Sequence, residues 1–182
     1  MPVYAYVILA AAWLLWFAPF PVNGWDSRPP QRKDPRARWG LTLQILAYVL
    51  LFATRFWEFS AGAWRVSLSL LFFALAILLS STAVRALGRH LRFDAALGPD
   101  HRLVNFGPYR ILRHPIYTSM LCMLLGTGFL ITPAPLLLIA TLVFVAGTEV
   151  RVRIEDGLLE SWFQDEFLRY QNRVSAYIPF VR

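Results

Sequence analysis

The sequence predicts an all-α fold: a polytopic transmembrane helical bundle of about five spans, with a C-terminal cytoplasmic amphipathic helix. Three observations predict it. Hydrophobic residues make up 57% of the 182 positions and charged residues only 16%, where soluble domains carry about a quarter charged. The charges are clustered, so long neutral runs separate basic groups. Those runs approach the length needed to cross a bilayer.

Residues 3–20 (VYAYVILAAAWLLWFAPF) hold 18 consecutive uncharged positions. No basic segment precedes them and no small-x-small cleavage site follows, so a retained span is expected rather than a signal peptide. Residues 26–38 (DSRPPQRKDPRAR) are a polar, proline-containing loop with five Lys/Arg. A second span is expected at 41–54. Arg55 and Glu58 near its end share a helical face, which favours pairing or snorkelling over catalysis. A third span is expected at 66–84. The apolar stretches 116–131 and 136–148 are short and joined by Thr-Pro-Ala-Pro, which predicts a tilted or protein-shielded helical hairpin.

Basic residues crowd 26–38 and 85–114, whereas 132–135 carries no charge. The positive-inside rule then gives an N terminus outside, a C terminus in the cytoplasm and a cytoplasm-facing polar region. After 155 the pattern changes. Leu159, Trp162, Phe163, Phe167 and Tyr170 recur at helical spacing among Asp156, Glu160, Gln164, Asp165 and Arg169, which predicts the amphipathic helix. Val174, Tyr177, Ile178, Pro179 and Phe180 follow as an extended, docked apolar tail.

The formal net charge is +7. Because the basic residues flank apolar runs, the bilayer and its anionic headgroups are the expected partner, and nucleic acid is not. One cysteine, Cys122, leaves no disulfide within the chain and no paired-thiol chemistry. The three histidines lack metal-ligand spacing, so no metal is expected, and Walker A, HExxH and GxSxG motifs are absent.

Chemistry concentrates in two blocks, 101–117 (HRLVNFGPYRILRHPIY) and 149–156 (EVRVRIED). They stand before and after the expected hairpin, whose closure brings them together at the cytoplasmic boundary. Each residue has a plain structural explanation. Arg110, Arg113 and Arg153 can set topology. Arg151 and Glu155 can pair at i, i+4. His114 and Tyr117 can belong to an aromatic belt, and Pro115 suits a first helical turn. Together, His101, Tyr109, His114, Tyr117, Arg151 and Glu155 offer aromatic faces, donors, a cation and an anion. That set suits a zwitterionic aromatic ligand beside a membrane-borne substrate.

These motifs resemble the isoprenylcysteine carboxyl methyltransferases and their bacterial relatives, which are akin to phospholipid methyltransferases. The resemblance covers roughly 94–182 and rests on "HRLVNFGPYRILRHPIY", "RVRIED" and "FQDEFLRYQNRVSAYIPF". It implies S-adenosylmethionine bound by the C-terminal half, 93–182, of a single integral domain whose N-terminal helices occupy 1–92. It also implies cofactor contacts from His101, Arg102, Leu103, Val104, Tyr109, His114, Pro115, Ile116, Tyr117 and Glu155, with Arg151 nearest a substrate carboxylate. Arg151 and Glu155 would then be the catalytic pair, and the substrate a lipophilic or lipidated molecule.

The chain departs from the family at Asp156, where a second glutamate is common, at Ser119, where glycine is common, and in "FQDEF". Asp94 is an additional upstream candidate for the cofactor. Two other functions stay open on the residues: an NADPH-dependent sterol-type reductase, with Arg110, Arg113 and Arg153 serving a 2′-phosphate, and a phospholipid N-methyltransferase. A non-enzymatic membrane scaffold, in which the polar cluster only sets topology, also stays open.

Overall fold

The computed structural model describes residues 2–23, 32–53, 55–92, 95–97 and 102–178. His101, Asp94, Pro179 and Phe180, all singled out in the sequence, lie outside them. Among the described residues the regular structure is helical, apart from a two-residue antiparallel pair joining Arg32–Lys33 to Ala96–Leu97 and an isolated bridge between Leu112 and Ser175. The helices are α1 (Val3–Phe17), α2 (Pro19–Asn23), α3 (Ala37–Leu51), α4 (Ala63–Leu87), α5 (Pro115–Ile131), α6 (Ala134–Phe163) and α7 (Asp165–Gln171).

Among the described residues, three stretches are long and apolar enough to cross a membrane: Val3–Val22, Ala63–Leu87 and Ala134–Phe163. Ala37–Leu51 and Pro115–Ile131 are apolar but shorter. Large apolar side chains point outward along them, Leu14, Leu71, Leu78, Leu138 and Leu142 among them. A continuous outward apolar surface of this kind is suited to lipid rather than water, and the protein is a membrane protein.

α3 packs along α6, and α4 along α5. The first pairing turns on two glycines. A Cβ at Gly40 would lie 2.5 Å from the Gly147 carbonyl oxygen, and one at Gly147 would lie 2.7 Å from that of Gly40. Only hydrogen fits on either side, so the backbones approach closely, as small residues allow between membrane helices.

Polar side chains tie the remaining joints. Arg65 of α4 donates to the carbonyls of Phe129 (2.8 Å), Gly128 (3.2 Å) and Thr132 at the end of α5. Gly128 O also takes the Thr132 N–H, and the carbonyls at this end of the helix carry its negative dipole end, which a guanidinium offsets. Thr132 Oγ1 donates to Leu51 O at 2.9 Å, fixing the far end of α3 to the hairpin turn. Tyr48 Oη donates to Met120 O at 2.7 Å, and Ser69 Oγ to Gly126 O at 2.7 Å.

The structure differs from the sequence expectation at the C-terminal helix. α6 does not stop where the apolar run ends at 148. It continues unbroken to Phe163, because 149–163 contains good helix formers and no proline. The expected amphipathic helix is therefore divided. Its first half is the end of α6 and its second half is α7, with the break at Gln164, whose φ is +49°. Asp156, expected on the polar face, is 5% exposed.

Candidate functional site

The "RHPIY" segment is positioned from both sides. Pro115 occupies the first turn of α5, where a missing N–H leaves nothing unsatisfied. The backbone just before it pairs with the C-terminal segment. Arg113 N–H donates to Ser175 O and His114 N–H to Ala176 O, each at 2.8 Å, beside a parallel bridge between Leu112 and Ser175. Thr118 Oγ1 adds a bond to Tyr177 O at 2.6 Å. Val174, Ala176 and Tyr177 are buried. The tail is thus docked through residue 178, and it fixes the orientation of Arg113 and His114.

The turn at Thr132-Pro133 returns the chain so that α6 carries Arg151, Glu155 and Asp156 back to this segment. Two linked networks result. In the first, Arg151 Nε donates to Tyr117 Oη at 2.7 Å, Tyr117 Oη donates to Glu155 Oε1, and Arg151 Nη2 reaches the same oxygen at 3.2 Å. The guanidinium carbon lies 5.3 Å from the Tyr117 ring centroid, a cation–π distance.

In the second network, Asp156 is the shared acceptor. His114 Nε2 lies 2.8 Å from Oδ1, while Arg113 Nη2 donates to Oδ2 at 2.9 Å and Gln171 Nε2 at 3.3 Å. Arg113 also donates to the carbonyls of Gln171 (3.2 Å) and Val174. His114 joins the networks, since its Nδ1 lies 3.5 Å from Glu155 Oε2 and its ring stacks on Tyr117 at 5.7 Å.

Burial opposes the charge on His114, but its hydrogen bonds to Asp156 and Glu155 outweigh that and raise its pKa to about 9. It is a cation at neutral pH. Burial keeps the Tyr109 phenol neutral, with the Tyr170 and Glu155 charges adding in the same direction. Tyr170 donates to Tyr109 O at 2.6 Å.

These groups stand at one end of a cavity of about 480 Å³ between α1, α2, α3, α5 and α6. Trp16, Phe17, Phe20, Leu41 and Met120 make its wall apolar, and Tyr109, Arg113, His114, Tyr117, Arg151 and Glu155 make its polar end. Ser119, one of the departures from the family motif, receives a bond from Trp16 Nε1 at 3.2 Å and so anchors α1 to this wall.

Of the residues expected at the site, Tyr109, His114, Ile116, Tyr117, Arg151 and Glu155 line the cavity. Pro115 is buried beside them at the start of α5. Arg102, Leu103 and Val104 do not line it. Leu103 instead lines a second cleft of about 560 Å³ with Arg110, Tyr170 and Arg173. The Tyr170–Tyr109 bond joins residues of the two clefts.

Sequence reasoning missed Arg113 and Asp156, assigning one to topology and the other to a polar helix face. Their signal was adjacency: each neighbours a candidate, His114 and Glu155 respectively. Gln44 was also missed, although a lone amide inside the apolar run LTLQILAYVLL is a signal in its own right.

The phospholipid methyltransferase family profile matches residues 64–166, more than half the chain. Protein-S-isoprenylcysteine O-methyltransferase of Saccharomyces cerevisiae is 34% identical over 82 residues, 45% of this chain and 34% of that protein. Protein-S-isoprenylcysteine O-methyltransferase B of Arabidopsis thaliana is 29% identical over 121 residues, 65% of this chain and 61% of that one. The cobalt-zinc-cadmium resistance protein CzcN of Cupriavidus metallidurans is 34% identical over 80 residues, 44% of this chain and 37% of that one. The matched segments thus span less than two thirds of each relative.

Proposed function

The chain belongs to the phospholipid methyltransferase family, and from that premise we propose that it is a membrane-integral, S-adenosylmethionine-dependent methyltransferase whose acceptor is a carboxylate on a lipophilic molecule. The observation that carries the reading is the Arg151–Tyr117–Glu155–His114 network lining a largely apolar cavity.

The cavity's residues suit the cofactor. Its volume falls among those of small-molecule sites, and it offers stacked rings at His114 and Tyr117 and a carboxylate at Glu155. Arg113 lines the cavity with a buried Nε that has no protein acceptor, a donor suited to an amino-acid carboxylate. Tyr109, His114, Pro115, Ile116, Tyr117 and Glu155 would hold the group. When bound, S-adenosylmethionine supplies an electrophilic methyl on a sulfonium centre.

The protein's part is positioning. A carboxylate is already a nucleophile, so no residue need remove a proton. Arg151 offers a planar guanidinium suited to two carboxylate oxygens. Tyr117 and Glu155 fix the rotamer of Arg151, and orientation of this kind can supply roughly 7–11 kcal/mol of barrier reduction. The apolar wall lowers the local dielectric, which strengthens each of these contacts.

Charge favours a carboxylate over an amine as the acceptor. Within the network, Arg113, His114 and Arg151 are cations and only Glu155 and Asp156 are anions. The excess is one positive charge, which attracts an anion and repels an ammonium. The apolar length of the cavity suits a lipid tail entering from the bilayer. Under this reading α3 and α5 complete five spans, the N terminus lies outside, and the site opens to the cytoplasm beside its basic flanking segments.

The test is calorimetric binding of S-adenosylmethionine to protein in nanodiscs, paired with methyl transfer by wild type and Arg151→Ala. The variant is expected to lose turnover far more than cofactor affinity. Unchanged turnover would remove Arg151 from its assigned place.

A further inference from the structure

We propose that the second cleft, outside the catalytic cavity, binds the phosphate headgroup of an anionic phospholipid on Arg110, Arg169 and Arg173, and that the bound lipid clamps the C-terminal segment onto the residues before α5. The inference goes beyond the methyl-transfer reading and does not rest on it.

Charge selects an anion. The cleft is lined by three guanidiniums, those of Arg110, Arg169 and Arg173, against one carboxylate, Glu166. Elsewhere arginines find carboxylates: Arg113, Arg151 and Arg153 pair with acidic groups at 2.9, 3.2 and 2.8 Å. Among the described residues no carboxylate pairs with Arg110, Arg169 or Arg173, although Glu166 shares their cleft. Three like charges gathered on one surface repel, and a phosphate between them removes that cost. S-adenosylmethionine is itself a net cation with no phosphate, so this cleft does not suit it.

The rim selects the source of the phosphate. Phe106, Ile111 and Leu168 are exposed large apolar side chains. Each is the chain neighbour of a lining residue, respectively Asn105, Arg110 and Arg169. The apolar helix α5 begins at Pro115, shortly after Ile111. Exposed apolar groups interleaved with arginines suit a surface seated at the bilayer boundary, with rings and alkyl groups toward the acyl chains and guanidiniums at the phosphates. A phospholipid satisfies both features. A free phosphate leaves the apolar rim in water.

The cleft wall is also the clasp of the catalytic segment. Tyr170 lines the cleft, and its hydroxyl donates to Tyr109 O at 2.6 Å. Val174 lines it too, and its carbonyl accepts from Arg113. The next two carbonyls, of Ser175 and Ala176, accept the N–H groups of Arg113 and His114. Arg110 precedes α5, whereas Arg169 belongs to α7 and Arg173 follows it. A headgroup shared by the three therefore ties the same two segments that these bonds join. Lipid binding then favours the docked arrangement by mass action.

The test titrates dioctanoyl phosphatidylglycerol, or dioctanoyl phosphatidylcholine, into the protein in a neutral maltoside detergent. The first is expected to raise Tm by about 5–10 °C at a concentration about a hundredfold above its Kd, and the second to leave it unchanged. Hydrogen exchange in the peptide holding Arg113 and His114 should slow about tenfold with the anionic lipid. The triple change Arg110→Gln, Arg169→Gln and Arg173→Gln should abolish both effects. The corresponding triple change to Lys, which keeps the charge, should retain most of them.

Equal shifts from the two lipids overturn the proposal, as does an undiminished phosphatidylglycerol shift in the Gln triple. The same shift from glycerophosphoglycerol, which has the headgroup without the tails, overturns the choice of a lipid. A shift from a decameric glutamate peptide but not from phosphatidylglycerol replaces the lipid with an acidic polypeptide. Stabilisation without slowed exchange at Arg113 and His114 overturns the clamp. Where the Gln triple fails to fold, the three single changes are measured instead, and an undiminished shift in all of them overturns the site.

Discussion

Replacing Asp156 should unfasten the site from the fold. Its carboxylate is buried and accepts from three groups: His114 at 2.8 Å, Arg113 at 2.9 Å and Gln171 at 3.3 Å. These partners come from the segment before α5 and from α7, so one side chain of α6 joins three parts of the chain. Asp156→Ala removes the carboxylate that two buried cations and an amide share, leaving Arg113 only its backbone carbonyls and His114 only Glu155. Removing one member of a buried ion pair costs about 3–5 kcal/mol, because the remaining charge is stranded. At about 2–4 °C per kcal/mol for a chain of this size, Tm should fall by roughly 10 °C. Asp156→Asn retains one acceptor oxygen and should lose about half as much by the same reasoning. Thermal unfolding in a mild detergent, followed by intrinsic tryptophan fluorescence, measures both. A Tm for Asp156→Ala within about 2 °C of wild type would refute the argument, since the scaling assigns so small a shift less than about 1 kcal/mol.

Three other predictions follow from the same geometry. The His114 pKa is raised to about 9 from an ordinary 6.5, so its stabilisation is complete below about pH 6.5 and is lost as pH rises through about 9. Its scale is on the order of 3 kcal/mol, and Tm measured from pH 6 to 10 should fall across that window in wild type and stay flatter in His114→Gln. Tyr117→Phe removes the hydroxyl shared by Arg151 and Glu155 and should lower kcat by about ten- to a hundredfold, as misorientation does, with the melting curve little changed. Gly40→Ala places a methyl 2.5 Å from the Gly147 carbonyl oxygen and should cost about 1–3 kcal/mol by overpacking, whereas Gly157→Ala meets nothing within 4 Å and should be neutral or better in a thermal melt.

What could be read from the sequence divides along physical lines. Hydropathy marks where the chain meets lipid, so the apolar runs and the proline-turned hairpin were visible, along with the meeting of His114 and Tyr117 with Arg151 and Glu155. Hydropathy does not mark where a helix ends. α6 therefore ran 15 residues past its apolar stretch, and α7 emerged as a separate piece only because Gln164 adopts a left-handed conformation. A buried ion pair has the same letters as two surface charges. Arg113 accordingly resembled a topology signal and Asp156 a solvent-facing residue, until the fold placed them 2.9 Å apart. Gln44 shows a different limit: its chemistry was visible in an apolar run, but its use depends on which helix faces it.

The family alternative at position 156 is informative in the same way. Aspartate's shorter reach is matched here by His114 and Arg113, held close by the docked 175–176 backbone. The aspartate and the C-terminal segment therefore work as a unit, and substitution at either should disturb the other.

The central claim, methyl transfer to a lipophilic carboxylate, is tested most directly by the chemical nature of the product. Protein in nanodiscs is incubated with methyl-labelled S-adenosylmethionine and an equimolar mixture of N-acetyl-S-farnesylcysteine and a phosphatidylethanolamine, and the extracted lipid is treated with mild base. A methyl ester releases its label as volatile methanol, whereas an N-methyl group does not. The account predicts that the label is volatile and that Arg151→Ala abolishes it. Base-stable label on the phospholipid, or no label on either acceptor, would contradict it.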